Sequence, residues 1–298
     1  MKTVCSRLAA ACGCFALFGA TIAADTADAA RVGVLSNNYA VATAADFTAK
    51  IAGHTFTGID TSASVPALPT LLSNYDVLLI FEDGAFVNST AVGNVAAAFA
   101  QAGRPVVLGT FYDQDRSDQK NQPNVPVPHG WGALEGIDPD TTDGIGVHTD
   151  ASGFPDKPRV LNGGSLVPHR LTAGVTALGA TSGFAGGNQA KPGTIVLATW
   201  TELNARGLPD PVIAYRIGGA TCVIQIGIAP DYAAGVGPGY GGFTGDFYVV
   251  WKNAFDFAGI SCARPDPIPA LSSGALALTV LLIVLLAFSQ RQRLVRRR

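Results

Sequence analysis

A strand–helix–strand pattern within residues 76–113 constrains the fold of this chain more than any other feature. The apolar run Val77–Phe81 is followed by an Ala-rich run with helical spacing over residues 90–102, and then by the apolar run Val106–Gly109. Two short apolar runs joined by one helix are typical of parallel strands that are buried on both faces. Ligands of such sheets bind beyond the carboxyl ends of the strands.

The flanking sequence extends this alternation. Further strands are predicted at Arg31–Leu35, His54–Ile59, Gly193–Trp200, Pro211–Ile217 and Thr221–Ile228, and further helices at Ala42–Ile51, Pro66–Asn74 and Asp246–Ala258. Arg31–Leu35 is expected to be the central strand, and His54 to lie on a strand surface. Residues 114–191 show no clear periodicity, as expected of an insertion that covers a site. We therefore predict an open, doubly wound, mostly parallel α/β sheet of flavodoxin-like layout.

The N-terminal segment Met1–Ala30 has the layout of a secretory signal peptide. Two basic residues precede the apolar stretch Leu8–Ala24, and the small residues Ala27-Asp28-Ala29 suit a cleavage site. Cys12 makes a lipoprotein the alternative, but little apolar sequence precedes it. We expect the chain to be exported.

The C-terminal segment contains a predicted membrane helix. Ile268–Phe288 carries no charge, and its 21 residues span about 30 Å as a helix, one hydrocarbon thickness. Five arginines follow, so the basic tail is expected in the cytoplasm and the preceding domain outside. A buried core helix is the alternative, but a terminus ending in RQRLVRRR has no reason to enter a core.

The sequence Pro267-Ile268-Pro269-Ala270-Leu271, the apolar run and the arginine cluster together resemble the IPTL-CTERM sorting signal. This signal is a relative of the PEP-CTERM signals that exosortase-type enzymes of Gram-negative bacteria recognise. Ala270 stands where Thr is usual. The resemblance implies the cell envelope of a Gram-negative bacterium as location and an exosortase-type processing enzyme as partner.

Composition between the two terminal segments excludes one class of ligand. Residues 31–267 contain 13 Lys and Arg against 20 Asp and Glu, a net charge of 13 − 20 = −7. An acidic domain is a poor binder of polyanions, so we expect no nucleic-acid partner. We predict an α/β domain over residues 31–262, and a linker, membrane helix and basic tail over residues 263–298.

The order of motifs in residues 31–260 resembles the class I glutamine amidotransferase-like fold, in particular its trehalose-utilisation-type members. The motifs that carry this resemblance are Tyr75–Ile80, Gly103–Gly109, Leu171–Val175, Ile226–Asp231 and Trp251–Phe255. That family uses a Cys at the sharp turn after the strand that ends here at Gly109, whereas this chain has Thr110-Phe111-Tyr112. A His-x-Glu pair after the last strand is also missing. The resemblance therefore implies the fold and argues against amidotransferase activity.

Cys222 and Cys262 remain once the three cysteines of the signal segment are set aside. Residues 221–228 are predicted as a strand and residues 246–258 as the helix that returns along it. Because the two elements are about equal in length, the end of the helix comes back near the start of the strand, and the two cysteines become neighbours. An exported protein lies in an oxidising compartment, so we predict a disulfide. Two buried free thiols are the alternative.

Several acidic residues are predicted to lie at the carboxyl ends of the strands. The candidate ligand-binding residues are Glu82, Asp83, Asp113, Asp115, His129, Trp131 and Asp231. Carboxylates brought together repel one another unless a cation or a hydroxyl-rich ligand joins them. Residues 113–118 match a calcium loop only in part, and a solvated acidic loop is the alternative. No cofactor is predicted, and calcium is the cation that these oxygen atoms would suit.

His129 and Trp131 form the second part of this candidate site, because an aromatic ring beside polar groups suits a sugar ring. The alternative is a loop pair that packs over the sheet. Phe247, Trp251 and Phe255 recur at helical spacing and are expected in the core.

Three classes of function follow from these observations. The first, which we favour, is an exported, membrane-anchored binding or accessory protein for a small polar ligand or a carbohydrate. The second is an envelope glycan hydrolase, which needs two of the carboxylates about 5–10 Å apart. The third is a structural component of an exported matrix.

Overall fold

The computed structural model describes residues 29–81, 89–110, 130–140, 158–180, 189–204, 207–232 and 242–260. The strands are β1 (Arg31–Ser36), β2 (Thr55–Asp60), β3 (Val77–Ile80), β4 (Val106–Gly109), β5 (Arg159–Val160), β6 (Leu178–Ala180), β7 (Ile195–Leu203), β8 (Pro209–Gly218), β9 (Thr221–Ile226) and β10 (Phe243–Gly245). The α-helices are α1 (Ala40–Lys50), α2 (Leu68–Asn74), α3 (Ser89–Gln101) and α4 (Phe247–Ile260).

Seven strands form a mostly parallel sheet in the order β2-β1-β3-β4-β9-β8-β7. Neighbours from β2 to β9 pair in parallel, and the β7, β8 and β9 pairings are antiparallel. The predicted mostly parallel sheet is therefore confirmed. The prediction that Arg31–Leu35 is central is wrong, because β1 lies second from the edge and β4 occupies the middle.

Helices cover both faces of this sheet, and the alternation of side chains along β3 shows how. Val77 and Leu79 pack with aromatic residues of α1 and α4 on one face, while Leu78 and Ile80 pack with α2 and α3 on the other. Successive side chains of a strand point to opposite faces, so a strand buried on both is apolar throughout. This explains why these apolar runs predicted the sheet.

Two glycines let backbone segments approach more closely than a side chain would permit. A Cβ atom on Gly58 of β2 would lie 2.4 Å from the Cα atom of Val41, so this glycine lets the first turn of α1 lie against the sheet. A Cβ atom on Gly93 of α3 would lie 1.8 Å from the carbonyl oxygen of Trp131. These two contacts fix α1 and the segment around Trp131 at their places.

Two strands of the predicted insertion, β5 and β6, join β10 in a small second sheet that was not predicted. It has the order β10-β6-β5, with antiparallel pairing. Asp246, just before α4, fastens it by accepting hydrogen bonds from the backbone N–H groups of Thr176 and Ala177, at 2.7 and 2.9 Å. These bonds lower the pKa of the Asp246 carboxyl.

His54 differs from its predicted place on a strand surface. Its side chain is 1% exposed, and its Nε2 lies 3.0 Å from an Asp256 carboxylate oxygen at the end of α4. Its Nδ1 accepts a hydrogen bond from the backbone N–H of Ala30. Burial lowers the pKa of this imidazole, and the Asp256 carboxylate opposes that effect. A partner 202 residues away in sequence could not be read from local pattern.

No helix within the described ranges is long and apolar enough to cross a membrane. The predicted membrane helix Ile268–Phe288 and the predicted signal peptide Met1–Ala30 lie outside those ranges, apart from Ala29 and Ala30. Both remain predictions from sequence.

Candidate functional site

The carboxyl edge of the sheet, where β1, β2, β3, β4 and β9 end, is the part of the fold in which a ligand site is expected. The chain runs from β1 outward to β2 and then returns to β3 on the other side of β1. This reversal makes a topological switch point between β1 and β3, and α/β sheets bind ligands in the crevice at such points.

A cavity of about 420 Å³ lies at this edge, beside the ends of β1 and β2 and next to the crevice between β1 and β3. We call it the β1–α1 cavity. It is lined by Ser36, Asn37, Asn38, Tyr39, Ala40, Val41, Ala42, Ala45 and Asp60. The polar part of this lining consists of hydroxyl, amide and carboxylate groups, with no Lys, Arg or His side chain. Such groups hydrogen-bond to ligand hydroxyls as both donors and acceptors.

The turn between β1 and α1 is held by its own side chains. The Ser36 hydroxyl donates to Oδ1 of Asn37 at 3.4 Å, and the backbone N–H of Asn38 donates to the Ser36 hydroxyl oxygen at 3.3 Å. Oδ1 of Asn38 accepts from the backbone N–H of Tyr39 at 3.1 Å. Side-chain hydrogen bonds of this kind stabilise turns and fix the first residue of the helix.

Tyr39 has a left-handed backbone conformation, with φ of 56°. Among the described residues it is the one non-glycine residue with a positive φ. For a residue with a Cβ atom this conformation costs about 1–2 kcal/mol. Such strain persists where surrounding structure imposes it, and it is enriched at ligand sites. Here it places the tyrosine in the lining of the β1–α1 cavity.

The amino end of α1 also borders the cavity, since Ala40, Val41 and Ala42 belong to its lining. No side chain caps this helix end, and its first turn contains no acidic residue. The partial positive charge of a helix amino terminus favours ligand atoms that accept hydrogen bonds. The cavity therefore combines donors of the helix end with the acceptor carboxylate of Asp60.

Asp231 lies where the sequence predicted it, in the short 3-10 helix Pro230–Tyr232 that follows β9 at the carboxyl edge. It is 1% exposed. Trp131 differs, because its ring is 0% exposed and packs in the core beside α3. A fully buried ring is not available to stack on a sugar, so here the alternative, a loop residue that packs over the sheet, applies. Glu82, Asp83, Asp113, Asp115 and His129 lie outside the described residues.

A buried ion pair at the same edge was not predicted. Arg159 Nη1 lies 3.5 Å from a carboxylate oxygen of Asp210, and the two side chains are 3% and 0% exposed. Asp210 is at the beginning of β8, which runs antiparallel to β9, so it lies level with the carboxyl end of β9. No local signal connects these residues, because they are 51 positions apart in the sequence.

The described residues contain no group of three or more His, Cys, Asp or Glu side chains placed to hold a metal ion. Of the carboxylates predicted to bind calcium, Asp231 alone is described. The calcium prediction is therefore untested.

No family model and no curated protein matches this sequence. Among solved structures, a ThuA-like protein from Bacteroides uniformis is similar at 11% identity and a TM-score of 0.44, over 79% of this chain and 94% of that one. The cold-adapted β-galactosidase from Rahnella sp. R3 is similar at 11% identity and a TM-score of 0.40, over 79% of this chain and 31% of that one. This chain therefore spans about a third of the length of that enzyme.

The carbohydrate deacetylase Agd3 is similar at 12% identity and a TM-score of 0.32, over 67% of this chain and 30% of that one. Values in this range assign neither a family nor an activity to the chain. The predicted resemblance to trehalose-utilisation-type proteins thus has a structural neighbour of that kind at low identity.

Proposed function

We propose that this chain is an exported, membrane-anchored α/β domain that binds a small polar ligand or a carbohydrate in the β1–α1 cavity. The observation that carries this proposal is the cavity of about 420 Å³ with its amide, hydroxyl and carboxylate lining at the carboxyl edge. The signal peptide and the membrane helix enter the proposal on sequence grounds.

The chemistry of the lining favours hydroxylated ligands. Asp60 accepts hydrogen bonds, Asn37 and Asn38 both donate and accept them, and Tyr39 adds an aromatic surface. A ligand with many negative charges would meet Asp60 and a domain of net charge −7, counted over residues 31–267. Sugars present alternating hydroxyl groups and apolar faces, which match this combination.

The residue after β4 supports binding more than amidotransferase chemistry. The segment Thr110-Phe111-Tyr112 follows β4, where the resemblance implies the Cys nucleophile of an amidotransferase, and its first residue, Thr110, is 0% exposed. A buried threonine hydroxyl is a poor nucleophile without an adjacent base. Binding without amide hydrolysis is therefore the function that we propose, and glycan turnover is an outcome that the experiment below distinguishes.

We also propose the disulfide between Cys222 and Cys262 as part of this exported domain. Cys222 is 2% exposed, at the beginning of β9. Helix α4 packs against β9 and ends at Ile260, two residues before Cys262. Peptide mapping with and without reduction tests the pairing, and alkylation of both thiols without prior reduction would exclude it.

The binding proposal is tested with the purified full chain in detergent, screened by thermal shift and calorimetry against a panel of sugars and other small polar compounds. A ligand at about 100 times its Kd is expected to add about 2.7 kcal/mol to the free energy of unfolding. Asp60→Asn should weaken binding, and its amide oxygen can still accept the bond that Asp60 receives from the backbone N–H of Ser62.

Glu202→Gln is the matched control, because it removes one carboxylate from β7, away from the cavity lining. Equal effects of the two variants on binding would contradict the proposed site. Release of sugar from a glycan by the wild-type chain would favour the hydrolase instead.

A further inference from the structure

The amino edge of the sheet, where β1, β2, β3, β4 and β9 begin, is also the place at which α4 ends. Ala258 and Gly259 of α4 line a cavity of about 400 Å³ at this edge. The same cavity is lined by Ala30, Asp76 and Arg104, which lie just before β1, β3 and β4. The contact of Asp256 with His54, just before β2, places the same helix end there. The last described residue of α4, Ile260, therefore leaves the domain at the amino edge.

The apolar stretch Ile268–Phe288 begins eight residues after Ile260. Eight Cα–Cα steps of at most about 3.6 Å give a reach of less than about 29 Å. A bond between Cys222, at the beginning of β9, and Cys262 would leave six steps, or about 22 Å. The carboxyl edge lies about 20 Å farther from this attachment point, since six residues of a strand rise about 3.3 Å each.

The exposed charged side chains near the amino edge that the structure describes carry a net positive charge, whereas the whole domain carries a net negative charge. Arg31 and Arg104 both pair with the carboxylate of Asp76, at 2.9 and 2.7 Å, and their side chains are 47% and 38% exposed. Two guanidinium groups on one carboxylate leave one positive charge. Lys50, exposed at the end of α1, adds another, and the charge of Asp256 is balanced by Lys252 at 2.6 Å. At the opposite edge, the exposed side chain of Asp60 is negative.

We propose that the amino edge faces the lipid bilayer, with Arg31, Arg104 and Lys50 against anionic headgroups, so that the β1–α1 cavity opens away from the membrane. This inference rests on the membrane anchor of the proposed function. Basic groups near an anionic lipid surface are attracted by its negative potential, and the short linker keeps them within its range. A ligand-binding edge on the far side would be open to the surrounding space.

The test uses the full chain reconstituted into vesicles of equal parts phosphatidylglycerol and phosphatidylcholine. Ala52→Cys and Ala102→Cys place a fluorescent label on exposed turns of the amino edge, and Ala63→Cys places it on an exposed bend of the carboxyl edge. All three replace alanine, so they are matched in size. The chain without an added cysteine gives the background from native thiols.

Lipids that carry a nitroxide quencher on the headgroup should quench the labels at positions 52 and 102 strongly and the label at position 63 weakly. In vesicles of phosphatidylcholine alone, and in a Lys50→Gln variant, quenching at position 52 should decrease. If the chain resists alkaline carbonate extraction but the labels at both edges are quenched equally, the proposed orientation is wrong and the membrane anchor stands. Release of the chain by carbonate would overturn the anchor and the orientation together.

Discussion

The two edges of the seven-stranded sheet are built from the same strands but differ in how their polar groups are satisfied. At the amino edge, Asp76 joins Arg31 and Arg104 in an exposed network. At the carboxyl edge, some polar groups line the β1–α1 cavity and others are buried, among them the Arg159–Asp210 pair. Cavities of similar volume, about 400 and 420 Å³, lie at the two edges. The amino-edge cavity is bordered by paired surface charges, whereas the carboxyl-edge cavity is bordered by the strained backbone of Tyr39, as is common at ligand sites.

The largest expected effect comes from breaking the buried ion pair at the carboxyl edge. Arg159→Met leaves the carboxylate of Asp210 buried without its guanidinium, which should lower the free energy of unfolding by about 3–5 kcal/mol. Urea denaturation of the full chain measures this. Arg31→Met removes an exposed guanidinium at the amino edge and should lower the free energy of unfolding far less, because solvent screens exposed ion pairs. Similar losses for the two variants would contradict the contrast between the edges.

The second prediction concerns the close approach of α1 to β2. In Gly58→Ala the new methyl group would overlap the backbone of Ala40 and Val41, at 2.6 and 2.4 Å, so α1 must move. Overpacking of this kind should cost about 1–3 kcal/mol and weaken ligand binding in the adjacent cavity. Gly136→Ala, where a Cβ atom would meet nothing within 4 Å, should change stability by less than about 0.5 kcal/mol. Thermal unfolding and calorimetry compare the two.

The third prediction separates strain from stability at Tyr39. Asparagine tolerates the left-handed conformation better than tyrosine, so Tyr39→Asn should raise the free energy of unfolding by about 0.5–1 kcal/mol. The same change removes the aromatic surface and should weaken ligand binding. Tyr39→Phe keeps the ring and the strain, and its stability should equal that of the wild type. A loss of stability in Tyr39→Asn would show that the conformation is not strained.

The smallest expected effect is at the exposed network of the amino edge. Hydrogen bonds from the Arg31 guanidinium lower the pKa of Asp76 from 3.8 to about 2. A lowered carboxyl pKa stabilises the fold above the unfolded value of about 3.9, and this contribution is lost as the pH falls towards 2. Because the group is partly exposed, Asp76→Asn should cost about 1 kcal/mol or less at pH 7. The cost should disappear in acid unfolding experiments near pH 2.

Much of the sheet could be predicted because its signals are local. The runs that became β3 and β4 are apolar on both faces, and the Ala-rich run with helical spacing became α3, Ser89–Gln101, within one residue of its predicted bounds. Phe247, Trp251 and Phe255 are confirmed as core residues, each 0% exposed. Periodicity identifies such elements because burial of one or both faces requires it.

The candidate site was harder to predict, because its parts come from distant positions or from unremarkable residues. Asn37 and Asn38 were not among the predicted site residues, although two polar residues soon after a buried strand were a usable signal for the carboxyl edge. Trp131 was predicted in the site because an aromatic ring suits a sugar ring. The close approach of its backbone to Gly93 of α3 could not be predicted from sequence. The strained backbone of Tyr39 could not be predicted, because tyrosine is not a residue type that favours a positive φ.

Local patterns were enough to predict the class of fold, the helices and strands of the large sheet, the excess of acidic residues, and the two terminal segments that favour export and anchoring. These features depend on composition and on the period of neighbouring residues. The contacts between residues far apart in sequence became visible once the chain was folded: Asp60 with the turn after β1, Arg159 with Asp210, and His54 with Asp256. The physical reason is that each of these contacts follows from strand order and helix packing, which local propensities do not encode.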